Sequence, residues 1–141
     1  MTRAVARLLF APTLMVAFAV MVKGYVGTGD GFAAGIIAGL AFLMQFVAFG
    51  ERNVRRALHT RYAPVVAVSG LALALATTFI PVLRGKAILT HAPPPGAPVV
   101  HLGSVEFLTA FVFDVGVFLL VLGFSVTALS LLARAELREP R

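Results

Sequence analysis

Asp114 stands in the stretch FVFDVGVFLLVLGF, Phe111 to Phe124, in which no other residue is charged. A charged side chain in a membrane helix costs at least about 2.5–3.5 kcal/mol to insert at the centre. The carboxylate must therefore be neutral, hydrogen-bonded, hydrated or paired with a cation. The apolar run opens with Ser104, ten residues earlier. At about 1.5 Å per residue that places Asp114 roughly 15 Å along the helix, near the middle of a hydrocarbon core about 30 Å thick. All twelve Lys and Arg fall in connections or near the ends of apolar runs, so none is expected at that depth. Three arrangements stand open: an acid hydrogen-bonded between helices, a cation on another chain, or a wet path carrying Na+ or H+.

Two further carboxylates bear on that choice. Glu106 lies eight residues before Asp114, about 12 Å away along the helix and about 80° around it. The two cannot touch, but both could line one wall of a path from the outer side. The alternative for Glu106 is an interfacial residue near Lys23, or one in the favourable first turn of its helix. Asp30 opens another helix, where it can cap free N–H groups and oppose the dipole; an ion-binding role is the competing reading. Gln45 is a lone polar residue in that helix and is expected to hydrogen-bond to a neighbouring one.

Other chemistries find no support. His59, His91 and His101 fall in expected connections, with no metal-site spacing. There is no cysteine, hence no disulfide and no thiolate centre. No nucleophile–base pair, phosphate loop or zinc motif occurs, so neither an enzyme nor a cofactor is expected.

The elements that hold these residues are apolar. The chain has 141 residues, 60% hydrophobic and 13% charged, with a mean hydropathy of +0.96; soluble domains are about 45–50% apolar and about 25% charged. Four runs can cross a bilayer: about 5–22, 31–50, 63–83 and 104–133. They are too long and continuous for barrel strands. The expected fold is an all-α membrane protein, a single domain of four transmembrane helices over 1–141, with an outer Pro-rich loop at 84–103. The first run follows Arg3 and Arg7 but ends without a small-residue cleavage pattern, so it reads as a retained helix and not a signal peptide.

The charge of +6 fits membrane topology better than nucleic acid. Nine Lys and Arg fall on the side of the two termini and the second connection, against three on the other side. Both termini are therefore expected to be cytoplasmic. Gly31, Gly35 and Gly39 repeat every four residues on one helical face, flanked by Ala34 and Ala38. Gly116 and Gly123, seven apart, form a second small-residue strip. In lipid such strips let backbones approach closely, so both read as packing seams, against a helix of this chain or of a neighbouring chain.

Two segments together resemble a known family. GTGDGFAAGIIAGLAFLMQFVAFG (Gly27–Gly50) and HLGSVEFLTAFVFDVGVFLLVLG (His101–Gly123) look like the B-type subunit of the multisubunit Mrp-type Na+/H+ antiporters. Phe32, Gly35 and Gly50 match the first pattern; Phe113, Asp114, Gly116, Val117 and Gly123 match the second. The resemblance runs from about Ala11 to Leu132. The turn departs from it: the family often has Pro-Gly-Gly-Gly-Phe where this chain has Thr28-Gly29-Asp30-Gly31-Phe32. The resemblance implies a small accessory subunit in the bacterial plasma membrane, required for assembly and activity. Its partners would be the other subunits of a complex that exchanges cytoplasmic Na+ for external H+, driven by the proton-motive force. Two alternatives remain: a self-contained proton-coupled transporter acting as a homodimer, and a structural scaffold with no ion contact.

Overall fold

The computed structural model describes residues 1–23, 29–83 and 99–136, with Pro81 and the first nine of the last segment described by their backbone alone. It contains α1 (Thr2–Lys23), α2 (Asp30–Phe49), α3 (Glu51–Leu58), a 3-10 turn (Thr60–Tyr62), α4 (Ala63–Leu83) and α5 (Val99–Glu136). No strand occurs among the described residues. Four segments are long and apolar enough to cross a membrane: Thr2–Lys23, Asp30–Phe49, Thr60–Ile80 and Leu108–Glu136. The fold is all-α with four membrane helices.

The helices pack in the order α1, α2, α5, α4. Among the described residues no Cα of α4 comes within 8 Å of one in α1 or α2, so this is a layer and not a closed four-helix bundle. Antiparallel pairs flank a parallel pair. Gln45 of α2 donates to the Ala6 carbonyl near the start of α1, at 2.6 Å. Phe42 meets Phe10 edge-on, with centroids 5.5 Å apart. Gly31, Gly35 and Gly39 of α2 face Asp114, Val121 and Ser125 of α5 in ascending order, so these two helices run parallel. Gly123 of α5 faces Ala63 and Ala67 of α4, whereas Gly116 faces Gly70 and Ala74; that pair runs antiparallel.

Small residues do the packing. Buried hydrophobic residues are mostly alanine: Ala6, Ala17, Ala34, Ala38, Ala41, Ala63 and Ala74. Larger apolar side chains such as Leu8, Val47, Phe79 and Leu132 point outward. This suits a lipid environment, where backbone proximity holds helices together and apolar surface is not driven inward. One larger cluster, Phe46, Val54, Ala63 and Val126, closes the end where α1 begins and α5 finishes.

Two features differ from the sequence expectation. The last helix begins at Val99, five residues before Ser104, which makes His101 helical and not part of a connection. The second connection is itself structured, by α3 and the 3-10 turn. Residues 84–98, with His91 and the Pro-rich segment, lie outside the described residues.

Candidate functional site

The site is built where α2 begins. Gly29 precedes the helix with φ 106°, a left-handed conformation suited to glycine. No side chain of its own caps α2, although the first four N–H groups of a helix have no partner within it. The acceptor comes from α5: the Asp114 carboxylate takes the Gly29 backbone N–H. Asp114 is 6% exposed, and the Asp30 carboxylate lies close enough to act on it electrostatically. Among the described residues no Lys or Arg forms an ion pair with Asp114.

Two expectations are corrected. Asp30 does not cap α2; it is the first helical residue, where its charge opposes the dipole. Asp114 does not lie at mid-depth. It is level with the first turn of α2, because a β-carbon on Gly31 would press on the Asp114 main-chain carbonyl. Since α2 has 20 residues and is about 30 Å long, that turn is an end of the membrane layer. Depth counted from Ser104 leaves out the helical residues that precede it, and so takes the start of the apolar run for the edge of the layer.

Glycines set the distances along α5. A β-carbon on Gly35 would fall 2.8 Å from Val121 Cβ and 3.2 Å from the Phe118 carbonyl oxygen, and one on Gly39 3.1 Å from Ser125 Cβ. On the opposite face of α5, a β-carbon on Gly116 would meet the Gly70 oxygen and the Ala74 nitrogen, both at 2.9 Å. On Gly123 it would fall 2.5 Å from the Ala67 nitrogen. So α5 is gripped by backbone on two sides, which holds Asp114 against the α2 terminus. Glu106 is in α5, but its side chain is outside the described ones.

Sequence reading missed two residues of this framework. Gly70 closes the α4–α5 crossing; its signal was the spacing Ala63, Ala67, Gly70, Ala74, a small-residue face on α4. Glu51 is 8% exposed at the opposite end of the layer. It accepts from Arg134 Nε at 3.0 Å and lies 3.9 Å from Arg55. Its signal was an acid set among arginines directly after Gly50.

Chemically, a buried carboxylate beside a second one, with no basic partner described, can take a proton or a monovalent cation. Among the described residues no group of three or more His, Cys, Asp or Glu could hold a metal ion.

Comparison with known proteins bears on what such a carboxylate serves. Residues 1–127 match a family model described as "Domain related to MnhB subunit of Na+/H+ antiporter". The chain is 29% identical over 138 residues to the Na(+)/H(+) antiporter B-type subunit of Alkalihalophilus pseudofirmus, covering 97% of this chain and 91% of that one. It is 31% identical over 124 residues to the Na(+)/H(+) antiporter B-type subunit of Bacillus subtilis, covering 87% and 85%. It is 39% identical over 137 residues to a probable K(+)/H(+) antiporter A/B-type subunit of Rhizobium meliloti, covering 96% of this chain but 13% of that much longer protein. No solved structure matches. The resemblance read from the two motifs thus extends over nearly the whole chain, which belongs to the family of the MnhB subunit of Na+/H+ antiporters.

Proposed function

We propose that this chain is an accessory membrane subunit of a multisubunit, proton-motive-force-driven Na+/H+ or other monovalent cation/proton antiporter, and that Asp114 with Asp30 forms part of its ion or proton route. The other antiporter subunits are its partners, in the bacterial plasma membrane. Both termini face the cytoplasm, which accords with the arginines gathered at their end. Family membership supports the subunit over a self-contained transporter, and over an enzyme.

One observation carries the ion-route reading. Asp114 is buried and is held by a backbone N–H beside another carboxylate, not by an arginine. An acid kept only to fasten helices is served better by a cation, as Glu51 is. The scaffold reading rests on the same hydrogen bond, since Asp114 closes the α2 terminus. Asp114→Asn separates the two, because asparagine keeps an acceptor oxygen and loses the charge. In the whole complex, assembly is expected to be normal while Na+/H+ exchange in everted vesicles falls at least about tenfold. Normal exchange at normal assembly would leave Asp114 a structural cap.

A further inference from the structure

At the end where α1 begins and α5 finishes, Glu51, Arg52, Arg55, Arg56, His59, Arg61 and Arg134 line an open cleft of about 660 Å³. Five arginines face one glutamate, and that glutamate is already engaged by Arg134 and Arg55. The cleft therefore keeps a large unbalanced positive charge, presented as guanidinium groups whose planar donors suit phosphate oxygens.

Its level in the layer is the second observation. The apolar span of α2 ends at Phe49 and the next begins at Thr60. Residues 51–59 of the cleft wall therefore lie immediately outside both spans, where lipid headgroups are. The backbone is shaped to keep them there. In α3, Val54 is buried in the apolar cluster with Leu58 packed against it, whereas Arg52, Arg55 and Arg56 are exposed. The helix ends at His59 with φ 49°, a left-handed conformation uncommon for a residue other than glycine. That turns the chain back into α4 and brings His59 and Arg61 onto the same cleft.

We propose that this cleft binds the phosphate of an anionic phospholipid headgroup. Basic pockets at the ends of membrane helices recognise such headgroups by charge and hydrogen bonding. A lipid fits better than an acidic protein segment because the whole wall comes from one chain at headgroup level. The proposal is independent of the ion-exchange reading, since the cleft is at the opposite end from Asp114.

The test uses the full chain in zwitterionic nanodiscs doped with phosphatidylglycerol, and native mass spectrometry to count retained lipids. The chain is expected to retain phosphatidylglycerol over phosphatidylcholine. R52Q/R56Q, which spares the Glu51 pair, is expected to lower that preference on the order of tenfold. R3Q/R7Q, which removes the same charge at the same end but outside the cleft, is expected to leave it intact. Equal retention of both lipids, or equal loss in the two variants, overturns the proposal. So does inorganic phosphate alone protecting the chain against thermal unfolding as strongly as a short-chain anionic lipid, which would make free phosphate the ligand. A readout without variants is arginine modification by phenylglyoxal. Anionic lipid is expected to protect Arg52, Arg55 and Arg56 and not Arg3; protection of none of the three, or of Arg3 equally, rejects the site.

Discussion

Two carboxylates are buried in the described part of this molecule, one at each end of the layer, and they are satisfied in opposite ways. Glu51 has cations: Arg134 at 3.0 Å from α5 and Arg55 at 3.9 Å, one turn along α3. Asp114 has a backbone N–H from Gly29, with the Asp30 carboxylate nearby. The first arrangement ties α3 to α5 and leaves the acid no reason to exchange its partner. The second fixes the acid's position by glycine packing and leaves its charge without a described counterion. A permanent ion pair suits a fastening; an acid without one suits a partner that comes and goes. On the function proposed above, the chain separates holding from ion handling by end.

The largest expected effect breaks the Asp114 end sterically. Gly31→Val puts a β-carbon onto the Asp114 carbonyl, with the carbonyl carbon only 2.9 Å away. Backbone cannot swing aside as a side chain can, so the loss of stability is expected to be at least about 3 kcal/mol. The readout is the amount of folded subunit in membranes and its unfolding temperature in detergent. Gly39→Ala is the gradient control. Its β-carbon would meet Ser125 Cβ at 3.1 Å, a side chain that can shift, so less than about 1 kcal/mol is expected. Equal losses at both positions would show that close approach along α2 is uniform and that the Asp114 end is not specially held.

Next comes the fastening at the other end. Arg134→Gln leaves Glu51 buried with only Arg55, at 3.9 Å. Breaking a fully buried pair costs about 3–5 kcal/mol. The Arg134 side chain is 42% exposed, so screening reduces the expected loss to about 1–2 kcal/mol. Glu51→Gln with Arg134→Gln should recover part of it, because no buried charge is then stranded. A double-mutant cycle in detergent measures that coupling, and no recovery would mean that the pair is incidental.

The four spanning runs were legible because each is predominantly apolar for at least a bilayer's thickness, with Asp114 standing out in the fourth. Their order in the layer was not. Glycine spacing says that a face is small, but a strip of small residues fits any helix; only the structure pairs Gly31 with Asp114 and Gly116 with Gly70. Helix α3 escapes a hydropathy reading because ERNVRRAL carries four charges in eight residues. Its signal was Val54 and Leu58 on one face, a pattern too short to stand out beside the long runs. The depth of Asp114 was not legible because a helix can run on beyond the lipid. In α5, Val99 to Glu136 spans 38 residues, about 57 Å, nearly twice the hydrocarbon core. Counting from the first apolar residue therefore cannot give depth, whereas registration against the shorter α2 can.

The smallest expected effect sharpens the comparison most, because it tests whether Asp30 and Asp114 act as a pair. Asp30→Asn removes a favourable interaction of about 0.3–1 kcal/mol with the α2 dipole. It also removes the repulsion between the Asp30 and Asp114 carboxylates. The two terms oppose, so stability is expected to change by no more than about 0.5 kcal/mol. In the Asp114→Asn background nothing remains to be relieved, and the same substitution should then cost the full dipole contribution. The sign of this coupling decides the matter. If Asp30→Asn costs the same in both backgrounds, the carboxylates do not sense each other, and Asp30 belongs only to its helix. If it is nearly neutral alone and destabilising when combined with Asp114→Asn, two like charges are held together at the α2 terminus at some expense to stability. A chain that needed only a cap at that terminus would gain by losing one of them.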